Sequence, residues 1–268
     1  MTHPIPTDGL DGLRWQAEMG VDLALDEGPR DRFAEAAAAE TAAVPAAIPL
    51  PSSRVDARRP SQAAPSAVQA GEIDPGKATD LDELRAMLEA FDGCGLKATA
   101  TRLAFADGTP GAPVMFVGEG PGAEEDRQGK PFVGPAGRLL DAMMAEIGLD
   151  RTRCYIANVV PWRPPGNRTP TPLEIETCLP FLRRQIALAR PRLLVTLGAP
   201  AMQGLLGVKT GIMQARGRWV DCAVAPGLTL PALPMLHPAF LLRQPAQKRA
   251  AWTDWRTLAR ALQKLDGA

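Results

Sequence analysis

Residues 113–137 read PVMFVGEGPGAEEDRQGKPFVGPAG, and this stretch indicates how the chain folds. The apolar run at 113–117 is typical of a buried strand, and a helical pattern follows at 139–147. The loop between them therefore lies at the carboxyl end of a strand, where open α/β sheets place their binding sites. Its glycines permit close backbone approach and its consecutive acids supply charge, whereas turn formation does not explain Phe132. These features favour a functional loop over a purely structural turn.

Helical and strand patterns alternate beyond residue 80. Each crossover between parallel strands needs a helix and is right-handed, so the alternation predicts a parallel sheet covered on both faces. The expected fold is α/β, a three-layer αβα sandwich around a central four-stranded parallel sheet. Helices are predicted at 81–91, 136–147, 173–189, 199–206 and 247–265, and strands at 113–117, 154–160, 192–197, 219–225 and 230–236.

The first 80 residues differ in composition from the rest. Residues 34–80 are rich in Ala, Pro and Ser with few large apolar side chains, which predicts a disordered linker ahead of a folded domain at 81–268. Residues 1–33 include an amphipathic pattern at 10–25 that fits a short helix. Two interpretations of this helix stay open: a docking peptide for a protein partner, or a helix that packs on the main domain.

The 268-residue chain has no net charge, with 30 basic and 30 acidic side chains, but the charge is unevenly divided. Residues 1–80 hold 7 basic and 13 acidic side chains, and residues 81–268 hold 23 and 17. A basic folded part beside an acidic extension is typical of a protein that approaches a polyanion. Because we find no bilayer-length apolar run and no signal peptide, we expect a cytoplasmic protein, with a monomer as the default.

A second loop, 158–170, reads NVVPWRPPGNRTP and follows the strand predicted at 154–160. Its prolines stiffen the backbone, and Arg163 and Arg168 suit bidentate phosphate contact. Asn158 at its start is either a functional amide or a strand-end cap that bonds the local backbone.

A third loop, 237–245, reads HPAFLLRQP and follows the strand predicted at 230–236. Two leucines beside an arginine fit a wedge that opens a base stack. The alternative is the start of a helix that turns its leucines inward.

In this order, the three loops resemble the family 4 group of the uracil-DNA glycosylase superfamily. The likeness spans about residues 84–262, and the matching motifs are GEGPGAEED with GKPFVGPAG, NVVPWRPPGNRTPTP, and HPAFLLR. Three long motifs in the right order are far more specific than a single glycine-rich loop. The resemblance implies an enzyme of base excision repair that binds DNA containing uracil and hydrolyses the N-glycosidic bond of that base.

The resemblance also implies roles for individual residues in gripping a base flipped out of the duplex. Phe132 would stack on the base, Asn158 would bond its O4 and N3–H beside Gly120, and His237 would stabilise the developing anion at O2. Glu119 would position the attacking water. The resemblance implies that Leu241, Leu242 and Arg243 contact DNA, and we expect the same of Arg163 and Arg168 because they suit phosphate contact.

Glu125 matches a further acid near the base pocket, one that the resemblance connects with exclusion of a 5-methyl group. The family therefore implies a catalytic site with two acids, Glu119 and Glu125. Which of the two is indispensable stays open on the sequence.

The chain departs from this family at its iron-sulfur site. Family members normally hold the cluster with four cysteines, but here only Cys94 and Cys178 match, and Phe91 and Trp162 stand at the other two positions. Aromatic side chains cannot replace thiolate ligands, although they can fill the volume. We therefore expect no iron-sulfur cluster and no other cofactor, with the four side chains forming a hydrophobic plug.

Two other functions stay open on the sequence. One is a binding module that recognises uracil or abasic DNA with little turnover and recruits a partner through residues 10–25. The intact Glu119, Asn158 and His237 argue against it. The other is an enzyme that acts on a free nucleotide through a phosphate loop at 118–122, which the lack of a G-x-x-x-x-G-K-[ST] motif disfavours.

Overall fold

The structure, a computed structural model, describes residues 73–267; the predicted helix at 10–25 and most of the predicted linker lie outside the described residues. Its strands are β1 (Asp107–Gly108), β2 (Val114–Gly118), β3 (Cys154–Asn158), β4 (Leu193–Leu197), β5 (Val220–Ala225) and β6 (Leu228–Met235). Its α-helices are α1 (Leu81–Ala90), α2 (Ala123–Gln128), α3 (Pro135–Ala145), α4 (Pro172–Ala189), α5 (Ala199–Leu206), α6 (Ile212–Ala215), α7 (Pro238–Arg243) and α8 (Lys248–Asp266). None of these helices has the length and apolar composition needed to cross a membrane.

All six strands form one sheet, in the order β1-β3-β2-β4-β6-β5. The four central strands, β3, β2, β4 and β6, are parallel, which confirms the predicted four-stranded parallel sheet. The edge strands β1 and β5 are antiparallel to their neighbours. The sequence did not predict β1, because two residues that include a glycine form no recognisable strand pattern.

Helices cover both faces of the sheet, as a three-layer sandwich requires. Successive strand side chains point to opposite faces, so Phe116 packs in a core layer that also includes side chains of α3 and α8. Its neighbour Met115 packs in the opposite layer, with side chains of α4 and α5. All residues of β2, β3 and β4 are buried, which explains why these strands read as continuous apolar runs.

The folded domain begins before the predicted boundary at 81. Ala78 is fully buried, and Arg184 of α4 donates from Nε to the Ala78 carbonyl at 2.9 Å. A short 3-10 helix, Pro75–Lys77, precedes it and is capped by Asp74. The predicted linker at 34–80 therefore extends too far toward the C-terminus. Composition alone could not predict this, because it does not indicate that a small residue such as Ala78 packs against α4.

Two of the loops flagged in the sequence contain short α-helices. Helix α2 lies within the first loop and α7 within the third. The third loop thus adopts the helical alternative, with consequences for its two leucines that are described below.

Candidate active site

The carboxyl ends of β2, β3 and β6 open onto one cavity of about 590 Å³. Its lining includes Glu119, Phe132, Asn158 and His237, so the three loops meet at one site. Their convergence follows from the sheet, since β2 and β3 are adjacent parallel strands and Gly118 and Asn158 are register partners at their ends.

Gly118 allows Asn158 and Phe132 to approach each other. A Cβ atom at this position would collide with Asn158 Oδ1 and lie 2.5 Å from the Phe132 ring. Any larger residue at the end of β2 would push Asn158 or Phe132 out of place in the cavity. Gly120 lines the cavity two residues later, where a Cβ would lie 2.8 Å from Val160.

Asn158 has a buried oxygen atom without a partner. The residue is 5% exposed, and among the described residues no donor bonds its Oδ1. Burial of an unpaired acceptor costs about 1–3 kcal/mol, so a ligand that donates there recovers a free energy that the fold has lost. A strand-end cap would have its oxygen bonded to the backbone, and the structure therefore favours the functional amide.

Phe132 has an unusual backbone conformation. Its φ is +56°, a left-handed conformation that costs about 1–2 kcal/mol for a residue with a side chain. The residue is 4% exposed, and its ring is stacked beside His237 with the centroids 5.5 Å apart and the planes at 30°. The ring thus forms a wall of the cavity next to the imidazole.

The hydrogen bonds of His237 define its tautomer. Its Nδ1 accepts from the backbone N–H of Ala239 at 3.1 Å, which leaves the proton on Nε2. Burial, with a smaller effect of Arg243, lowers the pKa of His237 to about 4. At neutral pH the imidazole is therefore neutral and can donate from Nε2.

Glu119 lines the cavity and is partly buried there. Burial raises its pKa, while a hydrogen bond from Thr169 and the positive charge of Arg243 oppose the shift. Thr169 also lines the cavity and is not among the site residues predicted from the sequence. The only sequence feature that pointed to Thr169 was its hydroxyl group, between Arg168 and Pro170 in the second loop.

Glu125 lines the cavity, but both of its carboxylate oxygens are occupied by backbone hydrogen bonds. It is 8% exposed, and its two oxygens accept from the backbone N–H groups of Gly122 at 3.1 Å and Gly134 at 2.9 Å. Both oxygens are thus engaged in joining the two halves of the first loop. These contacts give Glu125 a structural role in the loop, and its predicted catalytic role stays a prediction.

The two leucines of α7 lie in different surroundings. Leu242 is 43% exposed and lines the cavity with Arg243, in agreement with a role at the DNA surface. Leu241 is fully buried in the core layer of Phe116, so the prediction that it contacts DNA is wrong. The helical turn places consecutive residues on different faces, and only one of the pair can face the cavity.

The two arginines of the second loop are engaged by neighbouring side chains. Arg168 lines the cavity and forms a bidentate pair with Glu174, at 2.6 and 2.8 Å. Arg163 donates to Asn167 Oδ1 at 2.7 Å and is not part of the cavity lining. In this structure both side chains brace the loop, and their predicted phosphate contacts stay predictions.

The four residues at the family's cluster positions pack together in one apolar cluster. Phe91, Cys94, Trp162 and Cys178 share it, and Trp162 is 3% exposed. The two thiols hydrogen bond each other, which lowers the pKa of Cys94. Two thiols and two aromatic rings do not fit a four-thiolate cluster, and no group of three metal-ligating acids, histidines or cysteines occurs in the part of the chain described here.

Known proteins resemble this chain in sequence. The family model described as Uracil DNA glycosylase superfamily matches residues 105–258. The Type-4 uracil-DNA glycosylase of Thermotoga maritima is 42% identical over 151 residues, which cover 56% of this chain and 77% of that protein. The Type-4 enzyme of Pyrobaculum aerophilum is 38% identical over 171 residues, 62% and 87% of the two chains. That of Archaeoglobus fulgidus is 36% identical over 182 residues, 66% and 91%. The chain therefore belongs to the uracil-DNA glycosylase superfamily and is a family 4-like member of it.

Proposed function

We propose that this protein is a monofunctional uracil-DNA glycosylase. It hydrolyses the N-glycosidic bond of uracil in DNA and leaves an abasic site for base excision repair. The observation that carries this proposal is the unpaired, buried Oδ1 of Asn158, in one cavity with Phe132 and His237.

Base selection follows from the amide of Asn158. Uracil presents a donor at N3 and an acceptor at O4, which match Oδ1 and the amide N–H of Asn158. Cytosine presents an acceptor at N3 and a donor at N4. An acceptor would therefore face Oδ1 of Asn158, and a donor would face its amide N–H. The Phe132 ring supplies a face on which the extruded base stacks.

Bond cleavage uses His237 and Glu119 on different parts of the substrate. As the bond from C1′ to N1 breaks, its electron pair moves to uracil, and Nε2–H of His237 stabilises the anion at O2. A water oxygen bonds to C1′, and its proton passes to Glu119, whose raised pKa makes it a better base than an exposed carboxylate.

The rim of the cavity supports contact with a DNA duplex. Leu242 is half-exposed there and is suited to fill the stack that the flipped base has left. Arg243 beside it is suited to a phosphate contact. The basic excess of residues 81–268 agrees with a polyanionic partner.

A strand-cleavage assay tests the proposed function. A labelled duplex with one uracil is incubated with the protein and treated with alkali, and cleavage at the uracil is expected. We expect His237→Ala to slow the reaction about 10²-fold or more, and Cys178→Ala, outside the cavity, to remain active. Binding of the uracil duplex without cleavage would instead identify a binding module, and indifference to DNA would favour an enzyme acting on free nucleotides.

We also propose that the protein works without an iron-sulfur cluster. The support is the packing of Phe91 and Trp162 with the two remaining thiols, which leaves two ligands where four are needed. Iron and sulfide analysis of freshly purified protein is expected to find far less than one cluster per chain. A stoichiometric brown cluster would contradict this proposal.

Further proposals concern the setting of the enzyme. The amphipathic pattern at 10–25 supports a docking peptide for a repair or replication partner.

A cytoplasmic monomer is the simplest form for an enzyme whose proposed site is built from one domain. Size-exclusion chromatography with light scattering, on the full chain, measures the oligomeric state.

A further inference from the structure

Arg151 contacts the backbone of the aromatic residue that walls the cavity. It lies in the loop before β3, and its guanidinium donates to the carbonyl oxygen of Phe132. A second contact reaches the carbonyl of Pro131 at 3.4 Å. Arg151 thus bonds two consecutive carbonyls of the segment that presents the ring, although it does not line the cavity itself.

Two carboxylates hold the guanidinium in place. Asp141 of α3 accepts from its Nε at 2.9 Å and from a terminal nitrogen at 3.2 Å, and Asp107 of β1 accepts at 2.5 Å. The Arg151 side chain is only 26% exposed. A planar guanidinium with five N–H groups can satisfy all these acceptors together, which an ammonium group cannot.

The contact coincides with the strained position of the site. Phe132 has a left-handed backbone, which persists in residues with side chains only where the surroundings impose it. Gly137 contributes by leaving space, because a Cβ there would overlap the Phe132 carbonyl oxygen. Arg151 stabilises the same conformation by donating a hydrogen bond to that oxygen.

We propose that Arg151 is a positioning residue for base recognition, which holds Phe132 in the left-handed conformation that aligns its ring with His237 and the extruded base. This inference rests on the proposed function. Its physical basis is that a rotation of the Phe132 backbone would move the ring relative to Asn158 and His237, which lie on other loops. Misplacement of a site group by about 1 Å can cost about 10²-fold in rate.

A double-mutant cycle tests the proposal. Single-turnover excision from a uracil duplex is measured for wild type, Arg151→Gln, Phe132→Ala and the double variant. We expect Arg151→Gln to slow excision by about 10- to 100-fold in the wild-type background and by less than about twofold in the Phe132→Ala background. Losses that multiply in the double variant, or an unimpaired Arg151→Gln, would overturn the proposal.

Two further variants separate positioning from folding. Arg216→Gln is the matched control, because Arg216 is also largely buried, pairs with Asp254 at 2.9 Å and lies outside the cavity lining. We expect it to lower the melting temperature with little change in excision by the folded protein. If Arg151→Gln does not fold, Arg151→Lys retains the charge beside Asp141 and Asp107, and its excision is expected to fall. Wild-type excision rates in a folded Arg151→Lys would contradict the proposal.

The reference reaction distinguishes the two claims. If the wild-type protein does not release uracil, the proposed function fails, and this inference fails with it. If the wild type releases uracil and the Arg151 variants do so equally fast, only the inference about Arg151 fails.

Discussion

Asn158 combines a cost to the fold with a proposed function in the site. Its unpaired Oδ1 is buried at the end of β3, so the folded protein is less stable than it would be with a satisfied acceptor. Such a cost is expected at a binding position, where the ligand supplies the missing donor. Stability and function should therefore respond in opposite directions to a change at this residue.

The Asn158→Ala variant tests this expectation. We expect single-turnover uracil excision to fall about 10²-fold, because the amide contacts to N3 and O4 are lost. We expect the free energy of unfolding to stay the same or to rise by up to about 1 kcal/mol, because an unpaired polar group is removed. Urea unfolding beside the excision assay measures both. A parallel loss of stability and activity would identify Asn158 as a structural cap.

The pH dependence of excision reports the state of His237. The pKa of His237 is lowered to about 4 from 6.5, so the residue stays neutral through the range in which an exposed histidine titrates. We expect His237 to cause no inflection of the single-turnover rate near pH 6.5, and the rate to decline only as Glu119, whose pKa is raised by burial, becomes protonated. The Glu119→Gln variant is expected to be slow and to lack that decline. A fall centred at pH 6.5 that persists in Glu119→Gln would show that His237 titrates normally.

The same shift has a consequence for stability. Between the pKa of the unfolded state, about 6.5, and the folded value of about 4, the unfolded chain binds the proton more readily. The contribution of His237 to stability is therefore fully present above pH 6.5 and is lost as the pH falls toward 4.

The first loop is an element whose two halves are joined by Glu125. Its oxygens accept from Gly122 and Gly134, so the α2 segment and the segment around Phe132 keep a fixed separation. In Glu125→Gln one oxygen becomes an NH2 group that faces a backbone donor. We expect the free energy of unfolding to fall by about 1–3 kcal/mol and excision to slow at every pH, without a shift in the pH profile.

A matched control for Glu125→Gln is Glu89→Gln on α1. Glu89 is about half-exposed and pairs with Arg85 at 3.0 Å, and surface pairs of this kind contribute about 0–1 kcal/mol. Chemical denaturation compares the two variants. Equal effects would show that the backbone contacts of Glu125 do not stabilise the loop.

Strands, helices and loops that are determined by residues close together in the chain could be predicted from the sequence. Buried strands such as β2 are continuous apolar runs, and the loops that follow them carry the site, so both could be read from the chain. The direction of Leu241 could not, because it depends on how the six-residue helix α7 packs on the core. Arg151 could not either, since its partners lie 10 to 44 residues away in sequence.

At the scale of the whole molecule, the plug links the start of the domain to α4 and to the second loop. It joins Phe91 and Cys94, from before the sheet, to Trp162 and to Cys178 of α4. The Phe91 ring also contacts Phe181, with the centroids 4.9 Å apart. We infer that apolar packing provides here the stabilisation that a cluster would otherwise give.

The Trp162→Ala variant measures this contribution. Trp162 is 3% exposed, and truncation of a buried aromatic residue costs about 3–5 kcal/mol. Trp252 of α8, which is 39% exposed, is the matched control, and we expect Trp252→Ala to cost much less. Denaturant unfolding of both variants gives the comparison. Similar losses for the two would show that the plug adds little to stability.

The central claim, that one cavity grips an extruded uracil with side chains from three loops, is tested most directly by a crystal structure of the complex. The DNA is a duplex in which 2′-fluoro-2′-deoxyuridine replaces the uracil nucleotide, so that the bond resists hydrolysis. We expect the base outside the helix, stacked on Phe132, with its N3 about 2.7–3.2 Å from Asn158 Oδ1 and its O2 facing His237 Nε2. A uracil that stays in the duplex, or that binds away from these three side chains, would contradict the account.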